Sequence, residues 1–180
     1  MKIPTIAKCE ALLEKYAVPE HIRLHSNAVR KVAQKLANAI KKRGAKVDVD
    51  AVSRAALMHD FMKMHCITHN CAHAQEAAAV FEGLGFSEFA KIIRVHGLED
   101  VLKFTKSTPI EAKIVWYADK RVNHHSPVLL EERYSYLEER YGSKSGSKMG
   151  EIRSTKAKAK KIESELMGLS GFAPKDLLGA

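Results

Sequence analysis

The chain has 180 residues, 46% of them apolar, which suits one domain with a sizeable core. Apolar runs such as "AAAVF" are too short to cross a bilayer and "MKIPTIAKCE" has no signal-peptide core, so a soluble, cytoplasmic protein with no membrane partner is expected. The net charge of +9 does not make a basic fold: seven basic residues from Lys144 to Lys161 face one acid, Glu151, which reads as a local solvated segment.

In chain order, helical periodicity predicts helices over about 5–17, 20–42, 50–62, 73–83, 87–96, 109–124, 128–141 and 150–168, with no alternating strand. Pro19 opens the second of these and Gly44 closes it, and Asp48 or Asp50 caps the third. "TPIE" at Thr108 to Glu111 combines a capping Thr, Pro in the first turn and a capping-box Glu. "SP" at Ser126 and Pro127 opens another helix. "GSKSGSKMG", Gly142 to Gly150, reads as a linker before a C-terminal helix striped by Ala159, Ile162, Leu166 and Leu169. Short connections and helices throughout predict an all-α, single-domain helical bundle. Its expected division is residues 1–141 as the main body, with a core of about 19–125, and 142–180 as a basic linker and C-terminal helix packed on or beside it. Three cysteines, Cys9, Cys66 and Cys71, are an odd count that argues against a disulfide framework.

Residues three, four and seven apart share a helix face. Five predicted helices carry an ionisable residue on the face that should be buried. His25 lines up with Ala28, Val29, Val32 and Leu36, and His59 with Val52, Ala55 and Ala56. His73 precedes Ala77 and Val80, His96 follows Phe89, Ile92 and Ile93, and Asp119 lies among Val115, Ala118 and Val122. Asp60 joins them beside His59. A lone core-facing histidine is more often a hydrogen-bonded structural residue than a ligand. A carboxylate on a buried face is costlier and needs a cation or several donors. Six such groups together suit one or two divalent transition metals, with iron, manganese, zinc, cobalt and nickel not distinguishable. "HCITHNCAH", His65 to His73, is a weak Cys/His zinc pattern, because Cys66-x4-Cys71 lacks knuckle spacing and a second cysteine pair. It reads instead as a loop contributing His73, with His21 at a helix entrance or pocket wall.

The segments "LHSNAVRKVAQKLA", "AALMHDFMK" and "IVWYADKRVN", in this order, resemble the HD-domain superfamily of metal-dependent phosphohydrolases from about Pro19 to His125. The resemblance implies an all-helical HD-type bundle in which His25, His59, Asp60 and Asp119 hold a common metal. It also implies that His73 and His96 serve a second metal, with Asp60 bridging. Among subfamilies the pattern is most similar to the bacterial HD-type hydrolases of dinucleoside polyphosphates, which share His-Asp-x-x-Lys followed by two spaced histidines. "GLEDVLKF" after His96 departs from the cyclic-dinucleotide branch, and Met62 and Lys63 depart from the alarmone hydrolases. The implied activity is hydrolysis of a phosphoester or phosphoanhydride of a small phosphorylated molecule, a nucleotide by analogy. Asp60 and Lys63 are the expected catalytic residues, and Lys63 and Arg121 the expected substrate contacts. Lys63 has a plainer reading as a cation at a helix C-terminus, worth ~0.3–1 kcal/mol. For Lys120 and Arg121 the plainer reading is a solvated side chain, and Trp116 and Tyr117 read as packing residues. The rival reading is a regulatory module that binds a nucleotide or RNA without turning it over, supported only by the basic C-terminal segment.

Overall fold

The computed structural model describes residues 1–180 as nine α-helices, short 3₁₀ turns and one two-stranded hairpin. Helix α1 (Ile6–Lys15) starts where the Thr5 hydroxyl accepts from the Lys8 amide. Helix α2 (Glu20–Lys42) follows Pro19 and buries Ile22, Val29, Val32, Ala33, Leu36, Ala37 and Ile40 along one stripe. It ends at Arg43, and Gly44 takes the left-handed φ of 93° that turns the chain. The Asp48 carboxylate caps α3 (Val49–Met58) by accepting from Ala51 N.

Four short helices follow: α4 (Lys63–His69), α5 (His73–Gly83), α6 (Ser87–Arg94) and α7 (Ile110–Asp119). Every residue of α7 from Ala112 to Asp119 is buried, so it runs through the interior with α2 and α3 packed on it. A hairpin, β1 (Val122–Asn123) and β2 (Ser126–Pro127), pairs Val122 with Pro127. Helix α8 (Leu130–Arg140) leads through a 3₁₀ turn at Gly142–Lys144 into α9 (Gly146–Ser170). Helix α9 lies against α2, α7 and α8 and buries Ile152, Thr155, Ala159, Ile162 and Leu166. No helix is long and apolar enough to cross a membrane.

The expected all-α class is what the structure has, and several boundaries move. The helix expected over 50–62 stops at Met58, and the chain turns before α4 begins at Lys63. The expected loop after it is therefore largely helical, and Asn70 ends α4 in a left-handed conformation at φ 50°. That reversal brings Cys66 and Cys71 together in a disulfide, against the expectation from cysteine count, while Cys9 is free and buried. The helix expected to reach 124 ends at Asp119, because the hairpin takes over. The stretch read as a linker is helical from Gly146, where the Ser145 hydroxyl caps α9 by accepting from Lys148 N.

Candidate metal centre

Three of the four expected histidines are held by main-chain oxygens. His25 Nδ1 lies 2.7 Å from the His124 carbonyl oxygen, His59 Nδ1 2.7 Å from that of Ala56, and His96 Nδ1 2.7 Å from that of Ile93. A carbonyl oxygen can only accept, so Nδ1 carries the proton in all three rings. With Nδ1 so engaged, Nε2 is the nitrogen turned inward, and in the neutral ring its lone pair is the one a metal takes. Helices α2 and α3 supply His25 and His59, the turn after α3 supplies Asp60, and the start of α5 supplies His73. His96 follows α6, and Asp119 closes α7.

These atoms converge. His25 Nε2 is 3.0 Å from Asp119 Oδ1, and His59 Nε2 is 3.6 Å from both Asp119 Oδ1 and Asp60 Oδ2. On the other side of Asp60, its Oδ1 lies 3.3 Å from His73 Nε2 and 3.6 Å from His96 Nε2. Two triplets result, His25–His59–Asp60 and Asp60–His73–His96, each with ligand atoms within 4.8 Å of one another. Asp60 belongs to both.

The donor set fits one or two divalent cations. His59 is fully buried, yet its Nε2 has no hydrogen-bond partner. An orphaned buried acceptor costs about 1–3 kcal/mol. The Nε2 atoms of His73 and His96 stand 3.0 Å apart. Two lone pairs at that separation repel unless a proton or cation lies between them. Imidazole nitrogens and carboxylate oxygens without thiolate are the ligands of zinc, iron and manganese sites.

Electrostatics keeps both acids ready to bind. Burial would raise the carboxyl of Asp60, but His59, His73, His96 and Lys63 together hold it well below the usual carboxylate range. Asp119 is likewise held low against burial, chiefly by Lys120, then by His25 and His59. Burial disfavours the charged form of His59, yet Asp60 and Asp119 outweigh it and raise its pKa. Burial prevails at His96 and lowers its pKa. Lys63 Nζ sits 2.7 Å from Asp60 Oδ2, and that carboxylate outweighs burial to raise the lysine's pKa.

Of the expected residues, His59 is fully buried beside Asp60 and Asp119, and His25, Asp60, Lys63, His73, His96 and Asp119 line one cavity of about 840 Å³. Arg121, expected at the substrate, is not among them. It is fully buried and turned towards the C-terminal segment. Its Nε donates to Val128 O at 2.6 Å, its Nη1 to Tyr117 Oη at 2.5 Å and its Nη2 to Pro174 O at 2.8 Å. The reason is local: α7 ends at Asp119, so position 121 no longer follows the helical face. Lys120 is not solvated either. Its ammonium is buried, pairs with Asp119 Oδ2 and donates to His96 O at 3.1 Å, leaving Asp119 Oδ1 to face His25 and His59. Trp116 and Tyr117 are core residues, as expected, with Trp116 Nε1 donating to Gly97 O at 2.8 Å. His21 lies exposed at the cavity wall.

Sequence reasoning missed three contributors. Lys120 carried the signal of a cation directly after a core carboxylate. His124, at φ 54°, carried none, because it acts through its carbonyl. Helix α8 adds Arg133, Tyr136 and Arg140 to the cavity wall, at the 3–4 spacing of one helix face.

The HD-domain family profile matches residues 23–123, more than half of the chain. An uncharacterized protein of Methanocaldococcus jannaschii is 31% identical over 135 residues, covering 68% of this chain and 79% of that relative. No solved structure matches significantly.

Proposed function

Because this chain belongs to the HD-domain family of metal-dependent phosphohydrolases, we propose that it hydrolyses a phosphoester or phosphoanhydride of a nucleotide at the His/Asp centre. The observation that carries this reading is Asp60. One of its oxygens faces His73 and His96, and the other faces His59 and Lys63, which is the disposition of a carboxylate shared by two cations. His25, His59, Asp60 and Asp119 would hold one cation, and Asp60, His73 and His96 a second. Bound divalent metal supplies the positive charge that lowers the pKa of a water to ~7 and offsets charge on the phosphoryl oxygens.

The chain's own residues do the rest. Lys120 ties down one oxygen of Asp119 and so presents the other inward. Lys63 is half-exposed at the cavity and anchored to Asp60, so its ammonium can meet a phosphoryl oxygen without leaving that carboxylate. Main-chain acceptors fix three imidazole tautomers before substrate arrives. Closeness to the dinucleoside polyphosphate hydrolases rests on His59-Asp60-x-x-Lys63 with His73 and His96 after it.

The test is elemental analysis of protein purified without added metal, followed by a phosphoester panel with manganese, iron, cobalt or nickel. Wild type should carry stoichiometric metal or gain hydrolysis with one of these ions, and Asp60→Ala should lose both. Wild type with neither property would refute the reading in favour of a binding module.

A further inference from the structure

The cavity at the metal centre has an uneven charge distribution. Its only acids are Asp60 and Asp119, and each is paired with a lysine of the same cavity, Lys63 and Lys120 respectively. The two remaining cations, Arg133 and Arg140, are paired with no carboxylate. They stand seven residues apart on α8, two turns and about 10 Å along the axis, with Tyr136 between them on the same face.

Arg133 is positioned rather than loose. Its Nη1 donates to Asn123 Oδ1 at 3.0 Å, its guanidinium lies 5.4 Å from the Tyr136 ring centre, and its Nε is buried without a hydrogen-bond partner. A half-buried guanidinium held at a cavity wall by Asn123 and Tyr136, and paired with no acid, is disposed to receive an anion. Arg140 is exposed at the same wall and free to follow a longer ligand.

A neighbouring cavity of about 950 Å³ makes the contrast. It shares His73, Gly97, Leu98 and Tyr141 with the first, but two of its three cations have acidic company: Lys148 pairs with Glu151 and Lys103 lies 3.7 Å from Asp100, while Lys144 sits 6.0 Å from the Tyr141 ring centre. The α8 wall thus carries two guanidinium groups paired with no carboxylate, against one such ammonium, Lys144, in the neighbouring cavity.

We infer that Arg133 and Arg140, on either side of Tyr136, form a second anion site that selects substrates bearing a further phosphate or comparable anionic group beyond the one at the metal centre. The wall lies beyond residue 123, where the family match ends. The inference rests on the phosphohydrolase reading for which group is attacked, but the anion site itself does not depend on turnover.

Equilibrium binding separates the two. Full-length protein in excess manganese is titrated with methylenediphosphonate and with methylphosphonate, probes with non-hydrolysable P–C bonds that carry two anionic groups and one. Wild type should bind the diphosphonate at least ~30-fold more tightly than the monophosphonate, the scale of losing charge-assisted hydrogen bonds. Arg133→Gln/Arg140→Gln should shrink that ratio to a few-fold while leaving methylphosphonate affinity and manganese content unchanged. Arg140→Gln alone, at an exposed position that folding does not need, should lose about 5–10-fold on the diphosphonate only. A ratio that survives in the double variant, a ratio near one in wild type, or an equal fall for both probes would each overturn the inference. Selective diphosphonate binding by a protein that hydrolyses nothing would sink the phosphohydrolase reading and leave the anion site standing.

Discussion

The metal-centre half of the molecule and its C-terminal arm use ionisable groups in opposite ways. Around Asp60, buried charges converge with acceptors left over: His59 Nε2 has no partner, and the His73 and His96 nitrogens face each other. Where α9 packs against α7 and α8, polar groups are paired with one another. Tyr134 Oη and Thr155 Oγ1 lie 2.9 Å apart, Tyr117 Oη donates to Glu163 at 2.6 Å, and Lys113 Nζ donates to Glu165 at 2.7 Å. The first region is completed by a ligand, whereas the second is complete in itself. Substitutions should therefore separate chemistry from stability according to where they fall.

The widest separation is expected between Asp60 and Arg121. Asp60→Asn should lower hydrolysis by about 10³-fold, equivalent to about 4 kcal/mol of barrier, and should lower metal content with it. Arg121→Ala should instead destabilise the fold by about 3–5 kcal/mol, because Glu163 and the Tyr117 hydroxyl lose a buried partner. Its folded fraction should still bind metal in the wild-type ratio. Denaturant titration with parallel metal analysis measures both, and an Arg121→Ala protein of wild-type stability would break the comparison.

A smaller effect sharpens it on the arm itself. Burial pushes the Tyr134 hydroxyl of α8 up to about 12, as it pushes the Cys9 thiol, away from the arm on α1, up to about 11. Each group gives up its proton more readily in the unfolded chain, near about 10 for tyrosine and about 8.5 for cysteine. Their contribution is thus fully present below those values and is lost as pH rises towards the folded ones. Melting temperature should fall between pH 9 and 12. Tyr134→Phe should cost about 1 kcal/mol at pH 7 and flatten the tyrosine part of that fall.

The smallest effect is at the surface. Glu131 is held below its ordinary pKa by Lys156 and Lys160, which lie across from it on α9. A carboxyl lowered by folding stabilises above its unfolded value and loses that contribution as pH drops. The pairs are exposed and screened, so Glu131→Gln should cost only ~0.2–1 kcal/mol at pH 7, and less in high salt. A loss several times larger would mean the arm depends on ion pairs more than on its apolar stripe.

The two regions were also unequally legible in the sequence. Helical periodicity carries α2, α3, α5 and α7, and it exposes His25, His59, His73, His96 and Asp119 as polar interruptions of apolar stripes. What periodicity cannot carry is direction after a helix ends. Asp119 is the last residue of α7, so whether Lys120 and Arg121 turn inwards or outwards depends on a two-residue hairpin with no strand pattern to announce it. The 3–4 spacing of Arg133, Tyr136 and Arg140 was visible, but not which helix face meets the cavity. That is decided by Leu130, Tyr134 and Leu137 packing on the opposite side. The disulfide depended on a left-handed turn at Asn70, which a count of cysteines does not contain.

The three main-chain oxygens that hold His25, His59 and His96 belong to His124, Ala56 and Ile93. Any residue type still presents a carbonyl, so exchanging those three side chains would leave the imidazoles aimed as before provided the chain keeps its path. The aim of the donors is thus guarded by fold rather than by sequence, and it is insertions or deletions near these positions, more than point changes, that should scramble it.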